Sequence, residues 1–408
     1  MAEREDTFPR QFRIIQTAGG ILGGVGVAAA VALLMSNSER FFHGYMFAYI
    51  FWLSLTMGCF GLTLVQHMVR SSWGAPILRF LEAGTANLWL MLVLTIPLLY
   101  TVWTQNGILY PWADPAIVHS NHHLEGKAFF LNKEFFTGRI ILYFVIWLTW
   151  ATKLRAWSKL EDETLSREVN QARVNWSAPG IVVFAVTLTF AFTDLVMSLD
   201  PLWFSTIWGI WWMVCCGLTA SAFVVFVLSL LTNVKPYTDV ITPGLFRDLG
   251  NILLAFTMFW GYISLSQWLI IYSGNLPEEI GFYIQRGLGA NAPVGGWWLL
   301  GVLIVFGQFF VPFLLLLSGR TKRTPEILGK LAVWILIIRV MDVMWTVMPF
   351  FRISKVQPNM MTFAIAAAAF IGIGGIWMFL WVNALTKAAL LPRHNLFVKE
   401  AVEHQHAH

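Results

Sequence analysis

The sequence predicts an all-α integral membrane protein of about ten transmembrane helices, arranged as two parallel four-helix bundles flanked by helices one and ten. Three observations carry this reading. Apolar residues fill 57% of the 408 positions and charged residues only 12%, where a soluble domain carries about a quarter charged. The apolar runs reach the ~20 residues that a hydrocarbon core about 30 Å thick demands of a helix. Short motifs also recur four helices apart.

The runs read as spans over 14–35, 42–66, 77–103, 136–152, 178–199, 203–231, 246–273, 295–318, 329–350 and 360–385. Most look continuous. The first is preceded by Glu3, Arg4, Glu5, Asp6, Arg10 and Arg13 and has no cleavage pattern, which predicts a retained helix rather than a signal peptide. It carries Gly19, Gly20, Gly23, Gly24 and Gly26, with two GxxxG spacings. Small residues at that spacing let helix backbones approach closely in lipid. A dinucleotide loop is excluded because no strand precedes the glycines.

Orientation follows from the basic residues of the loops. With both termini cytoplasmic, nineteen of the 27 Lys and Arg residues fall inside, and seven fall outside: Arg40, Lys127, Lys133, Arg139, Arg286, Arg352 and Lys355. Arg339 lies within a span. The net charge of +5 is therefore a topology signal and gives little support to a nucleic-acid surface.

Two connections stand out. The outer one, 104–135, is rich in aromatic residues and reads as a hydrated contact surface, with metal-ligand potential at His119, His122 and His123. The inner one, 153–177, reads as a solvated helical segment. The C-terminal stretch 386–408, ending in His404, His406 and His408, reads as a flexible cytoplasmic tail. Cys59, Cys215 and Cys216 fall inside spans without a CxxC spacing, so they read as packing residues rather than cluster or zinc ligands. His43 and His67 lie at opposite ends of one helix, which does not suit haem. No cofactor is expected in this chain.

The repeat sets the bundle order. Glu82-Ala83-Gly84 opens helix three and Asp248-Leu249-Gly250 opens helix seven. Asp194 is followed by Ser198 and Pro201 at the end of helix five; Asp342 is followed at the same spacings by Thr346 and Pro349 at the end of helix nine. A separation of four helices leaves repeat partners pointing the same way, giving bundles over 42–199 and 203–350.

No Walker A sequence, HExxH motif, nucleophile elbow or paired catalytic carboxylates occur in a soluble segment. Chemistry must come from within the membrane or from partners. An ionisable group at membrane depth costs about 2.5–3.5 kcal/mol on insertion scales, which makes it a functional candidate. The candidates are His67, Glu82 and Asp248 toward the inner side, Arg339 and Asp342 near the middle, and Asp194 and Asp200 toward the outer side. They are expected to form a proton path bridged by internal water. Arg339 and Asp342 are three apart and share a helix face. Asp194 and Asp342 read equally well as staples between helices, and Asp200, beside Pro201, reads as a helix-end residue. Tyr49, Gln267 and Gln308 add polar groups that also serve packing. Most of the 21 Trp read as interface residues.

The run Thr193-Asp194-Leu195-Val196-Met197-Ser198-Leu199-Asp200-Pro201-Leu202-Trp203-Phe204-Ser205-Thr206 resembles the TDxxMSLDPxWFST signature of the ActF family, membrane proteins of alternative complex III, a bacterial quinol:cytochrome c oxidoreductase. Lys127 to Arg139, with Leu131-Asn132 and Phe135-Phe136, is similar to that family's KxxxLNxxFFxxR segment, and Arg339 with Asp342 and Trp345 to its RxxDxxW segment. The likeness extends over nearly the whole chain. It implies a polysulfide-reductase-like (NrfD-type) subunit of the bacterial inner (cytoplasmic) membrane without a redox cofactor of its own. The implied partners are a multihaem cytochrome c subunit, an iron–sulfur subunit, a second NrfD-like quinol-binding membrane subunit and, often, a cytochrome c oxidase; haem c and the clusters belong to those partners. Three readings follow: a subunit that braces the complex and conducts protons, the quinol-oxidising subunit of the same class, or a secondary transporter.

Overall fold

A chain in lipid must satisfy its backbone within each crossing segment, and ten helices long and apolar enough to cross a membrane do so among the described residues. The structure, a computed structural model, describes residues 9–36, 38–69, 71–104, 107–164, 167–288, 295–353 and 358–392. The helices are α1 (Arg10–Met35), α2 (Arg40–Val69), α3 (Leu78–Trp103), α4 (Lys133–Glu163), α5 (Glu168–Leu199), α6 (Trp208–Ser229), α7 (Pro243–Gly274), α8 (Gly296–Leu317), α9 (Pro325–Phe351) and α10 (Met360–Leu385). Each answers to one of the ten expected spans. No strand occurs among the described residues.

Helices α2, α3, α4 and α5 pack in a closed ring, each on the next and α5 back on α2; α6, α7, α8 and α9 form a second ring of the same order. These are the two parallel bundles. They meet where α2 packs on α6. At Gly58 an added Cβ would lie 2.0 Å from the Cys216 carbonyl oxygen, so the absence of a side chain sets how closely the two rings approach.

Helices α1 and α10 pack chiefly on each other, and α10 leans on α2 and α3. Both therefore stand beside the first bundle. Gly19, Gly23 and Gly26 face α10, and a Cβ on Gly26 would come within 2.2 Å of the Gly372 Cα. The other face of α1 carries Ile14, Ile21, Val25 and Val31, all exposed, as suits a lipid-facing surface.

Three expectations change. Helix α8 is interrupted by a π turn over Val305–Phe310, and α3 by a turn at Asn87, whose side-chain amide donates to the Trp377 carbonyl. These spans are thus not continuous. The inner connection is not a freely solvated segment: Ser158, Glu161, Arg173 and Ser177 are buried, with Glu161 paired to Arg173 and Ser158 accepting from Arg79 inside the first bundle. The outer connection is only partly hydrated, since Leu109, Tyr110 and Trp112 enter the core. His404, His406 and His408 of the tail, together with Glu3, Arg4, Glu5, Asp6, Lys355, Arg393 and Lys399, lie outside the described residues.

Candidate functional site: buried charge in two bundles

At the end of the first bundle beside the 104–135 connection, called the outer end after the expected orientation, Asp194 is fully buried near the end of α5. Its partner comes from α4, where Asn132 caps the helix by accepting the Phe135 N–H at 2.8 Å. Arg139 and Tyr143, one turn apart, then face Asp194 together. Arg139 donates from Nε to Oδ2 at 2.9 Å and from Nη2 to Oδ1 at 2.8 Å. The Tyr143 hydroxyl donates to Oδ2 at 2.8 Å. This bidentate fork is the strong form of an arginine–carboxylate pair. The guanidinium also lies over Phe130 and Phe135, with distances of 3.8 and 4.4 Å to the ring centres, and its Nη1 donates to the Phe130 carbonyl.

Two sequence segments converge here. Lys127 Nζ donates to the Pro201 carbonyl at 2.7 Å, tying the outer connection to the turn after α5. Tyr110 donates to the Leu195 carbonyl at 3.1 Å. Burial, reinforced by Tyr49 and Asp194, pushes the Tyr110 phenol well above its ordinary pKa, which keeps it a donor. An open cleft of about 330 Å³ lies between these segments, lined by Phe129, Phe130, Asp194, Ser198, Trp203 and Phe204 among others. Asp200 belongs to neither contact set: it accepts from the Leu202 N–H and from Gln285 Nε2 at 3.1 Å, tying the turn to the segment before α8.

At the inner end of the same bundle, His67 Nε2 lies 3.2 Å from Glu82 Oε1, and Arg79 Nη1 lies 2.7 Å from Glu82 Oε2. Arg79 also reaches Ser158 Oγ at 2.8 Å and pairs with Asp162. Beside them Arg173 pairs with Glu161 at 2.5 Å. All four helices of the bundle contribute to this network. His67 and Glu82 are expected from the sequence, whereas Arg79, Glu161, Asp162 and Arg173 are not; the spacing of Arg79 to Glu82 is the one local signal of this network. Asp248 does not join them. Its side chain is 37% exposed and its partner is the adjacent Arg247 at 3.3 Å.

In the second bundle, Arg339 and Asp342 form an ion pair within α9. Trp260 of α7 donates to Asp342 Oδ2 at 3.1 Å, and Arg339 Nε donates to Thr219 Oγ1 of α6 at 3.2 Å. Both charged residues are buried. Toward the outer side, Arg286 donates to the carbonyls of Trp345 and Thr346 at the end of α9. Each bundle thus holds a buried carboxylate with an arginine and an aromatic donor. The expected path residues fall in five separate places, namely Asp194, Asp200, the His67–Glu82 pair, Asp248 and the Arg339–Asp342 pair, and the hydrogen bonds described above join none of them to another.

The outer histidines stand at the surface. His119 and His122 lie 3.5 and 4.0 Å from Glu125, with His119 75% exposed, and no group of three potential metal ligands occurs among the described residues. His43 stacks on Phe351 with ring centres 4.2 Å apart, its Nε2 lying 3.1 Å from the Ile108 carbonyl oxygen. No family model matches the chain, and no curated protein matches it.

Proposed function

We propose that this chain is the membrane subunit, without a redox cofactor of its own, of a quinol:cytochrome c oxidoreductase of the alternative complex III type in a bacterial inner membrane. It braces the assembly and carries protons through buried charged sites, with both termini on the cytoplasmic side. Its partners are a multihaem cytochrome c, an iron–sulfur subunit, a second quinol-binding NrfD-like subunit and, in some assemblies, a cytochrome c oxidase. One observation supports this most: the segments that carry the resemblance are distant in sequence yet meet through Lys127 on Pro201 and Arg139 on Asp194. Purification from native membranes, with identification of every co-purifying subunit, tests the reading. Recovery with a multihaem cytochrome and an iron–sulfur subunit is the expected result; recovery alone or with unrelated partners contradicts it.

The cleft beside Asp194 favours a second reading, in which this chain itself binds quinol. Flat aromatic walls around a few polar groups suit a ring with two oxygens. A quinone-analogue photolabel decides: crosslinks to Phe129, Phe130 or Trp203 support that reading, and labelling confined to a partner subunit removes it.

A further inference from the structure

The interior of the second bundle holds several polar atoms that find no protein partner. Thr257 Oγ1 on α7, both side-chain polar atoms of Gln308 on α8, Arg339 Nη2 on α9 and Ser221 Oγ on α6 are all buried without a hydrogen bond. Thr257, Gln308 and Arg339 are fully buried, and Ser221 is 3% exposed.

Packing brings the atoms on α7, α8 and α9 to one depth, with Ser221 of α6 about one helical turn away from it. Trp260 bonds Asp342, and Thr257 precedes the first by three residues as Arg339 precedes the second. Because α7 and α9 run in the same direction, Thr257 and Arg339 lie level. On α8, Gly307 packs against Ile338 of α9 and Phe309 packs against Gly261 of α7. Gln308, between them, is the buried polar side chain of the π turn. Such turns often mark functional positions in a helix. Ser221 lies one turn beyond Gly217, which packs on Phe256 next to Thr257. A buried polar group without a partner is costly, and ordered water is the usual remedy when two to four such groups converge.

The first bundle differs at the matching positions. Nine residues after Glu82 stands Met91, where nine after Asp248 stands Thr257; three before Asp194 stands Ala191, where three before Asp342 stands Arg339. The polar groups nearby in the first bundle are paired, Tyr49 with Thr95 at 2.7 Å and Trp147 with Thr187 at 2.8 Å.

We propose that Thr257, Gln308, Ser221 and Arg339 hold a cluster of ordered water molecules in the middle of the second bundle, in contact with the Arg339–Asp342 pair, while the first bundle is dry at this depth. The site stands on these buried atoms and not on which complex the chain serves. Water there would give Asp342 an internal route for proton exchange, whereas both oxygens of Asp194 are already engaged by Arg139 and Tyr143.

A map of the protein from native membranes, at a resolution that shows ordered water, is the direct test. Density within hydrogen-bonding distance of Gln308 and Thr257 is expected. Direct protein partners for both side chains, with no density between them, would overturn the proposal. In infrared difference spectra on exchange from H2O to D2O, the wild type should show bands of weakly bonded internal water that the Gln308→Met, Thr257→Val pair loses. Unchanged bands in that pair would place the water elsewhere and reject the site; if the pair is not recovered, the wild-type map decides.

Discussion

Asp194 and Asp342 occupy matching ends of α5 and α9, yet their surroundings differ in kind. In the first bundle the arginine comes from a neighbouring helix, and both carboxylate oxygens are engaged by Arg139 with Tyr143 adding a third bond. In the second bundle the arginine lies on the same helix as the acid, and part of its guanidinium has no protein partner. The first arrangement joins α4 to α5 as a clamp. The second leaves a charged pair facing unpaired polar groups. The difference teaches that duplicated motifs preserve the position of a charge while the helix that supplies its counter-charge is free to change.

Substitutions sharpen this contrast. The largest effect is expected at Arg139. Arg139→Leu leaves Asp194 buried without its partner, and breaking a buried pair on one side costs about 3–5 kcal/mol. Thermal unfolding of the detergent-solubilised protein should show a strong drop in Tm, and Asp194→Asn in the same background should recover part of it because the amide needs no counter-charge. An unchanged Tm in Arg139→Leu would break the clamp account.

Tyr143→Phe should cost less, on the order of 1.5–3 kcal/mol for one hydrogen bond to a charged group, read by the same unfolding measurement. A larger loss than that of Arg139→Leu would make the phenol, not the guanidinium, the main partner. Gly26→Leu should act locally. A Cβ there meets the Gly372 Cα, so α1 should part from α10 while both four-helix rings survive. Protease sensitivity rising only around α1, with the core Tm nearly unchanged, checks it. Asp248→Asn should be the mildest, within about 0.5 kcal/mol as for most exposed positions, since among the described residues Asp248 pairs with its neighbour Arg247 and its side chain is 37% exposed. A large loss of assembly in that variant would show Asp248 engaged with a partner.

Much of this architecture could be read from residue order. The ten spans follow from apolar run length, and the ring order follows from the paired motifs at Glu82 and Asp248, Asp194 and Asp342. Arg339 and Asp342 were readable as a pair because three residues on a helix place side chains on one face. The clamp on Asp194 was not, since Arg139 lies 55 positions away and only the packing of α4 on α5 brings the two together. The inner network was missed for a related reason: Glu161, Asp162 and Arg173 sit where a helical hairpin would ordinarily meet water, and only the burial of Arg79 against Ser158 shows that they turn inward. The π turn of α8 was hidden because the run Gly296–Leu317 is uniformly apolar apart from Gln308. Periodicity does not distinguish a π turn from a regular helix there. Asp248 was misplaced by the opposite error: the repeat gave it a partner in Glu82, but a matched position does not imply a matched environment.

On the proposed reading Asp342, in its polar surroundings, is the proton-handling carboxylate, whereas Asp194 is held as a clamp. Proton movement per electron, measured in reconstituted vesicles containing the complete assembly, tests it most directly. Asp342→Asn should assemble normally and move fewer protons per electron, and Asp194→Asn should assemble with coupling close to wild type. Normal coupling in Asp342→Asn and in the Asp194→Asn, Asp342→Asn double variant would contradict the account and leave both acids as structural staples.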